Sequence, residues 1–130
     1  MTELFLGLVA AVTMYTDTGL TRCGLHTAEI DGPWVAVPAR ELGTTYQCGD
    51  LLLLRGVAAD GALWSYMATV QDTGYLGDRC VVQPDGQCAP IWFDLPAEHA
   101  PFPGLSARLT EAINLSACAR EWQENGWTDG

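Results

Sequence analysis

The chain has no lysine. Its six basic residues are all arginines, set against 16 aspartates and glutamates, for a formal net charge of −10 over 130 residues. A surface this acidic is repelled by phosphate, which argues against nucleic acid as a partner and against an electrostatic grip on anionic membrane. A membrane-spanning run is also lacking. Leu4 to Met14 is apolar but too short to cross a bilayer, so the chain is expected not to be transmembrane. The same run makes a poor export leader. Glu3 stands where a basic region belongs, and no convincing cleavage site precedes Thr16-Asp17. Histidine is scarce as well: only His26 and His99 are present, and neither stands at ligand spacing with Asp72 or Asp94. No metal and no cofactor is therefore expected.

What the chain does hold describes one globular domain with a core. It is 48% hydrophobic and 17% charged, and its 14 glycines and 7 prolines are spread between short apolar runs. That spread favours an all-β fold with many turns. Five cysteines in 14.0 kDa point to an oxidising setting. Cys23 with Cys48, and Cys80 with Cys88, lack zinc-ribbon spacing and are expected as disulfides, with Cys118 the odd one. The expected location is extracellular, at the cell envelope or in a virion. Without a leader of its own, such a protein would travel as a phage particle component or be released by lysis.

Taken in order, Gly7 to Tyr15, Trp34 to Val37, Leu51 to Leu54, Leu63 to Gln71 and Ile91 to Leu95 read as strands; Ala107 to Leu115 fits either the helix or the strand period and is expected as a closing sixth strand. Asp60-Gly61 suits the turn of a hairpin between the third and fourth of these. Pro96 to Ala100 suits one helical turn. A short helix is expected from Ser116 to about Glu124, with Ser116 as its N-cap. The β domain is thus expected over residues 1–115, and the helix and tail over 116–130. No internal repeat stands out.

Two of these strands end on an aspartate, at Asp72 and Asp94, with turn residues close behind. A carboxylate at the end of a buried strand is held rigidly and partly desolvated, as a group that passes a proton to a leaving atom needs to be. A lone strand-end aspartate is more often a cap or turn former; two in similar settings point to chemistry. Trp92, Tyr15, Trp64 and Tyr66 offer flat faces for sugar rings, with core filling as the alternative for each.

The order Thr13-Met14-Tyr15, Cys23-Gly24, Val35-Ala36-Val37-Pro38 with Leu42-Gly43-Thr44, Gln71-Asp72-Thr73-Gly74 and Trp92-Phe93-Asp94 resembles the double-psi β-barrel superfamily. Its pattern is most similar to the 3D domain of membrane-bound lytic transglycosylase A. Rare lipoprotein A, expansin and barwin look like more distant relatives, through Asp94-Leu95 and the turn after it. The resemblance spans roughly Val12 to Ala100. It implies an all-β, six-stranded double-psi barrel with a short C-terminal helix. It further implies Asp94 as the acid and then base, Asp72 as its supporting carboxylate, and Thr73 and Gly74 as part of the substrate-binding motif. The first family aspartate would fall at Val37 or Pro38, where none stands. The Gly-rich, Lys-containing string after Asp-Thr-Gly is replaced here by Tyr75 to Arg79.

Two functions follow as expectations. One is a lytic-transglycosylase-like enzyme acting on peptidoglycan or another polysaccharide, with Asp94 and Asp72 at its centre. The other is a non-catalytic barrel that binds glycan or builds a larger assembly, such as a phage tail or capsid, alongside virion or cell-envelope proteins.

Overall fold

A computed structural model describes residues 2–4, 10–16, 18–74, 76 and 79–124. Its strands are β1 (Thr2–Leu4), β2 (Ala10–Tyr15), β3 (Trp34–Pro38), β4 (Leu51–Val57), β5 (Leu63–Gly74), β6 (Cys80–Val82), β7 (Cys88–Pro96) and β8 (Ser106–Asn114), followed by helix α1 (Leu115–Glu124).

Six strands close on themselves in the order β2, β7, β3, β5, β4, β8 and back to β2. The β2–β7 and β3–β5 pairs are parallel and the rest antiparallel. This is a closed, mixed barrel, compatible with a double-psi fold. Strand β1 adds to β8, and β6 folds back on β7.

Alternation drives the closure. In β5 the even positions Trp64, Tyr66, Ala68 and Val70 are buried, while Leu63, Ser65 and Met67 face out. Val12, Val35, Val37, Leu52, Leu54, Phe93, Leu95 and Leu109 complete the interior from the other five strands. The hairpin from β4 to β5 turns where Asp60-Gly61 predicts, with the Asp60 side chain accepting from Ala62 N–H at 2.9 Å. The last junction, β4 with β8, has a register shift at Arg55/Gly56. A Cβ on Gly56 would stand 1.9 Å from the Arg108 carbonyl oxygen and 2.5 Å from the Trp64 ring, so this position admits no side chain.

Both expected disulfides, Cys23–Cys48 and Cys80–Cys88, are formed. The first ties the long β2–β3 connection to the turn before β4, and the second closes the β6–β7 hairpin.

Several elements differ from the sequence reading. Strands β1 and β6 were not expected, β4 continues to Val57, and β5 runs through Asp72 to Gly74. Gly7 to Val9 of the expected first strand, and Trp127 of the tail, lie outside the described residues. Helix α1 starts one residue early because Asn114, not Ser116, caps it: Asn114 Oδ1 accepts from Ala117 N–H at 2.9 Å. The Ser116 hydroxyl accepts from Leu51 N–H instead, at 2.9 Å, and so docks the helix on β4.

An ion pair between buried Asp50 and half-buried Arg120 reinforces that docking. Asp50, 4% exposed, receives two hydrogen bonds from the Arg120 guanidinium at 2.8 and 3.1 Å, one from Asn114 Nδ2 at 2.9 Å and one from Gln47 N–H at 3.0 Å. Burial favours protonation of this carboxyl, but the bonds from Arg120, Asn114 and Gln47 together outweigh it and hold Asp50 below the usual carboxylate value.

Candidate functional site

The two aspartates meet across one alanine. Ala36, at the middle of β3, is the register partner of Asp72 on β5 and of Asp94 on β7. On the far side of β7, Asp94 pairs with Thr13 of β2. The residues Thr13, Asp94, Ala36 and Asp72 thus form one row across four adjacent strands. With strands about 4.8 Å apart, the two aspartate Cα atoms are separated by about 10 Å. Ala36 between them has only a methyl group and leaves the space over β3 to its neighbours.

A bulge makes this row. Val35 pairs with Val70 but Ala36 pairs with Asp72, so Gln71 is an extra residue on β5. Val70 points into the core. By simple alternation Asp72 would follow it inward, where an unpaired carboxylate is costly. The extra residue brings Asp72 to the same face as Ala36, which lies outside the core cluster between inward-facing Val35 and Val37.

Each carboxylate is oriented by a donor. The Thr13 hydroxyl donates to Asp94 Oδ1 at 2.9 Å, and the Arg22 backbone N–H donates to Asp72 Oδ1 at 2.9 Å. Arg22 belongs to the β2–β3 connection, which lies against this face of the barrel. Cys23 N–H donates to the Gln71 carbonyl at 3.1 Å, and the Cys23–Cys48 bridge fixes the same segment. Ala36 is 3% exposed. Both aspartates are half-buried at the margins of this cover.

The aromatic residues separate into two groups. Trp64 and Tyr66 lie inside the barrel, 6% and 5% exposed, and so are core filling, not sugar platforms. The Tyr66 hydroxyl donates to the Trp34 carbonyl at 2.8 Å. Burial raises the Tyr66 hydroxyl well above the usual phenol range, the Trp34 bond partly opposes this, and the charge of Glu98 adds to the rise. Tyr15 and Trp92 stay half-buried at the surface. Tyr15 meets Trp34 edge to face, with ring centroids 5.4 Å apart. Trp92 packs against the core from the Asp94 side of β7.

Two hollows flank the row. One, of about 340 Å³, is lined by Tyr15, Trp34, His26 and Glu98 among others, and opens where β2 and β7 end. The second, also about 340 Å³, is lined by Arg22, Ala39, Thr73 and Gly74, next to Asp72. Thr73 and Gly74 pair with Val37 and Pro38 at the end of β3. Thr13, Arg22, Trp34, His26 and Glu98 were given no role from the sequence. The only signal for Thr13 was its place in Thr13-Met14-Tyr15.

Among the described residues, no group of three or more His, Cys, Asp or Glu side chains is arranged to hold a metal ion, and no helix is long and apolar enough to cross a membrane. The two disulfides fit an extracellular or secreted setting. No protein-family model, curated protein or solved structure matches the chain.

Proposed function

We propose that the protein is a glycan-active double-psi barrel of the cell wall that cleaves peptidoglycan as a lytic transglycosylase does. The observation that supports this reading most is the shared partner: Ala36 pairs with both Asp72 and Asp94. Asp94 is the acid and base. It gives its proton to the bridging glycosidic oxygen as the C1–O bond breaks. As a carboxylate it then takes the proton of the sugar's own 6-hydroxyl, whose oxygen forms the new bond to C1 and closes an anhydro ring. No water enters the products. The Thr13 hydroxyl fixes the carboxyl group of Asp94 from the β2 side. Asp72, held by the Arg22 N–H, supplies negative charge toward the oxocarbenium-like transition state.

The test is digestion of purified sacculi followed by mass spectrometry. The wild-type chain is expected to release anhydro-muropeptides, and Asp94→Asn to release none. Intact sacculi after prolonged exposure to wild-type protein would overturn the reading.

One observation favours a second reading, a non-catalytic barrel that binds glycan or builds a virion or envelope assembly. The centre of the row is covered: Ala36 is 3% exposed beneath a connection pinned by the Cys23–Cys48 bridge. On that reading Asp72 orients the cover through Arg22 N–H, Asp94 ties β7 to β2 through Thr13, and Asp94→Asn leaves function unchanged.

A further inference from the structure

The hollow at the ends of β2 and β7 is built from residues that the acid chemistry does not use. Tyr15 pairs with Pro96 in the parallel β2–β7 register. Continuing the antiparallel Ala36–Asp94 register brings Trp34 opposite Pro96. Tyr15, Pro96 and Trp34 therefore form a second row on the same face, two residues along the strands from the row that holds Asp94. At about 3.3 Å per residue, the two rows are about 7 Å apart. That is within the reach of one sugar ring and its linkage.

The walls above this apolar floor are polar. His26 stands at the edge of the hollow, its Nδ1 accepting from Ala28 N–H at 3.1 Å while its backbone N–H donates to Glu29 Oε1 at 2.8 Å. With Nδ1 occupied as an acceptor, the neutral imidazole has its hydrogen on Nε2, a donor. Glu98, an exposed acceptor, also lines the hollow. Thr16, Thr18 and Thr27 add hydroxyl groups. A ring with an apolar face and several hydroxyls meets matched groups here on the floor and on both walls. Its charge is also constrained. None of the chain's six arginines lines the hollow, and the chain has no lysine. An anionic sugar would meet Glu98 with no arginine or lysine to pair with.

We infer that this hollow, floored by Tyr15, Trp34 and Pro96 and walled by His26 and Glu98, is a binding subsite for one uncharged pyranose unit. The inference deepens the glycan reading above, because it places a saccharide ring beside Asp94; it does not require that Asp94 react. The cavity of about 340 Å³ lies at the lower end of the range for small-molecule sites, which suits a single ring and not a chain of several.

The test uses the full chain carrying Asp94→Asn, so that turnover does not interfere. The probes are a β-1,4-linked trimer of N-acetylglucosamine and an oligogalacturonate trimer, followed by amide NMR and calorimetry. The neutral trimer is expected to bind and to shift the amides of His26, Thr27, Ala28 and Glu98, whereas the acidic trimer leaves them in place. Ala28→Trp, which fills the hollow from an exposed position, is expected to weaken binding at least about tenfold, and Glu98→Gln by about fivefold. An unchanged thermal midpoint in either variant shows that the barrel is intact. Shifts that map elsewhere, equal binding of the acidic trimer, or full affinity in folded Ala28→Trp would each overturn the inference. The two readings fail separately. A wild-type chain that binds the neutral trimer in the hollow but leaves sacculi whole loses the enzyme and keeps the subsite. A chain that digests sacculi with equal efficiency in wild type and Ala28→Trp keeps the enzyme and loses the subsite.

Discussion

The barrel divides into two halves of three strands, β2–β3–β4 and β5–β7–β8. Exchanging β2 with β5, β3 with β7 and β4 with β8 turns the parallel β2–β7 pair into the parallel β3–β5 pair. The same exchange turns the β4–β5 hairpin pairing into the β2–β8 pairing, and leaves β3–β7 and β4–β8 as they were. Under this exchange Ala36 takes the place of Asp94, and Thr13 the place of Asp72. The two carboxylates are therefore not equivalents. Asp94 stands on the inner strand β7, facing an alanine; Asp72 stands on the outer strand β5 of the same half, facing the same alanine. The bulges are unequal as well. The extra residue lies on inner strand β7 in one parallel pair, at Trp92, and on outer strand β5 in the other, at Gln71. What the comparison teaches is that a near-symmetric frame carries a single carboxylate at its axis because the mate of Asp94 is the small Ala36.

The largest expected effect tests whether the halves differ in function. Asp94→Asn keeps the acceptor for Thr13 but removes the proton, and is expected to lower anhydro-muropeptide release by about 10⁴-fold, equivalent to ~5 kcal/mol of barrier. Asp72→Asn is expected to cost about tenfold, because it still accepts from Arg22 and loses only charge. Equal losses in a quantitative digest would make the two positions interchangeable and end the distinction.

Restoring the symmetry is the next step. Ala36→Asp places a third carboxylate where Ala36 is 3% exposed, beside two others. A destabilisation of about 4 kcal/mol is expected in a urea titration, from a buried charge without a partner. A stable Ala36→Asp chain would mean that the cover over β3 opens freely.

The disulfides offer a third contrast between the halves. Cys23–Cys48 spans 25 residues and Cys80–Cys88 spans 8. From loop entropy alone, replacing the first pair by alanine is expected to cost about 3.5 kcal/mol and the second about 2.5 kcal/mol. The order of the two denaturation midpoints checks this.

The smallest effects concern the helix, which only the second half has. Asn114→Ala removes both its N-cap and the Nδ2 bond to Asp50, and is expected to cost about 2 kcal/mol in the same titration. Asp50 adds a pH signature. Its folded carboxyl lies below the usual 3.8. Its contribution is thus fully present above the ordinary carboxylate range and is lost as pH falls through the folded value. Asp50→Asn is expected to flatten the acid-side fall of the thermal midpoint below about pH 5, and an unchanged slope would show that the ion pair does not set it.

How much of this was legible depends on range along the chain. Short apolar or alternating runs located the six barrel strands, though Ala107 to Leu115 fitted the helix period as well, and the turn residues Asp60-Gly61 located the hairpin. Alternation did not say which face is inside. Trp64 and Tyr66 alternate with Leu63 and Ser65, and the barrel takes the aromatics and leaves Leu63 85% exposed. Asp72 and Asp94 were visible as strand-end carboxylates. Their common partner was not, because a register set by one extra residue at Gln71 leaves no local mark. The two-fold exchange was hidden for a related reason: it lies in the pairing of strands and not in repeated residues. His26 and Glu98 come from turns with no period at all. Asn114 was passed over as a cap because Ser116 has the same chemistry two residues on.

Gly56 has a last consequence. The β4–β8 junction is where the ring of strands closes, and it depends on a position that holds no side chain. A single added methyl there would not simply loosen the protein. It would leave two long strand borders with unpaired backbone groups, each a template for a neighbouring molecule. The same small change that breaks the seam would thus turn a self-contained particle into a seed for aggregation.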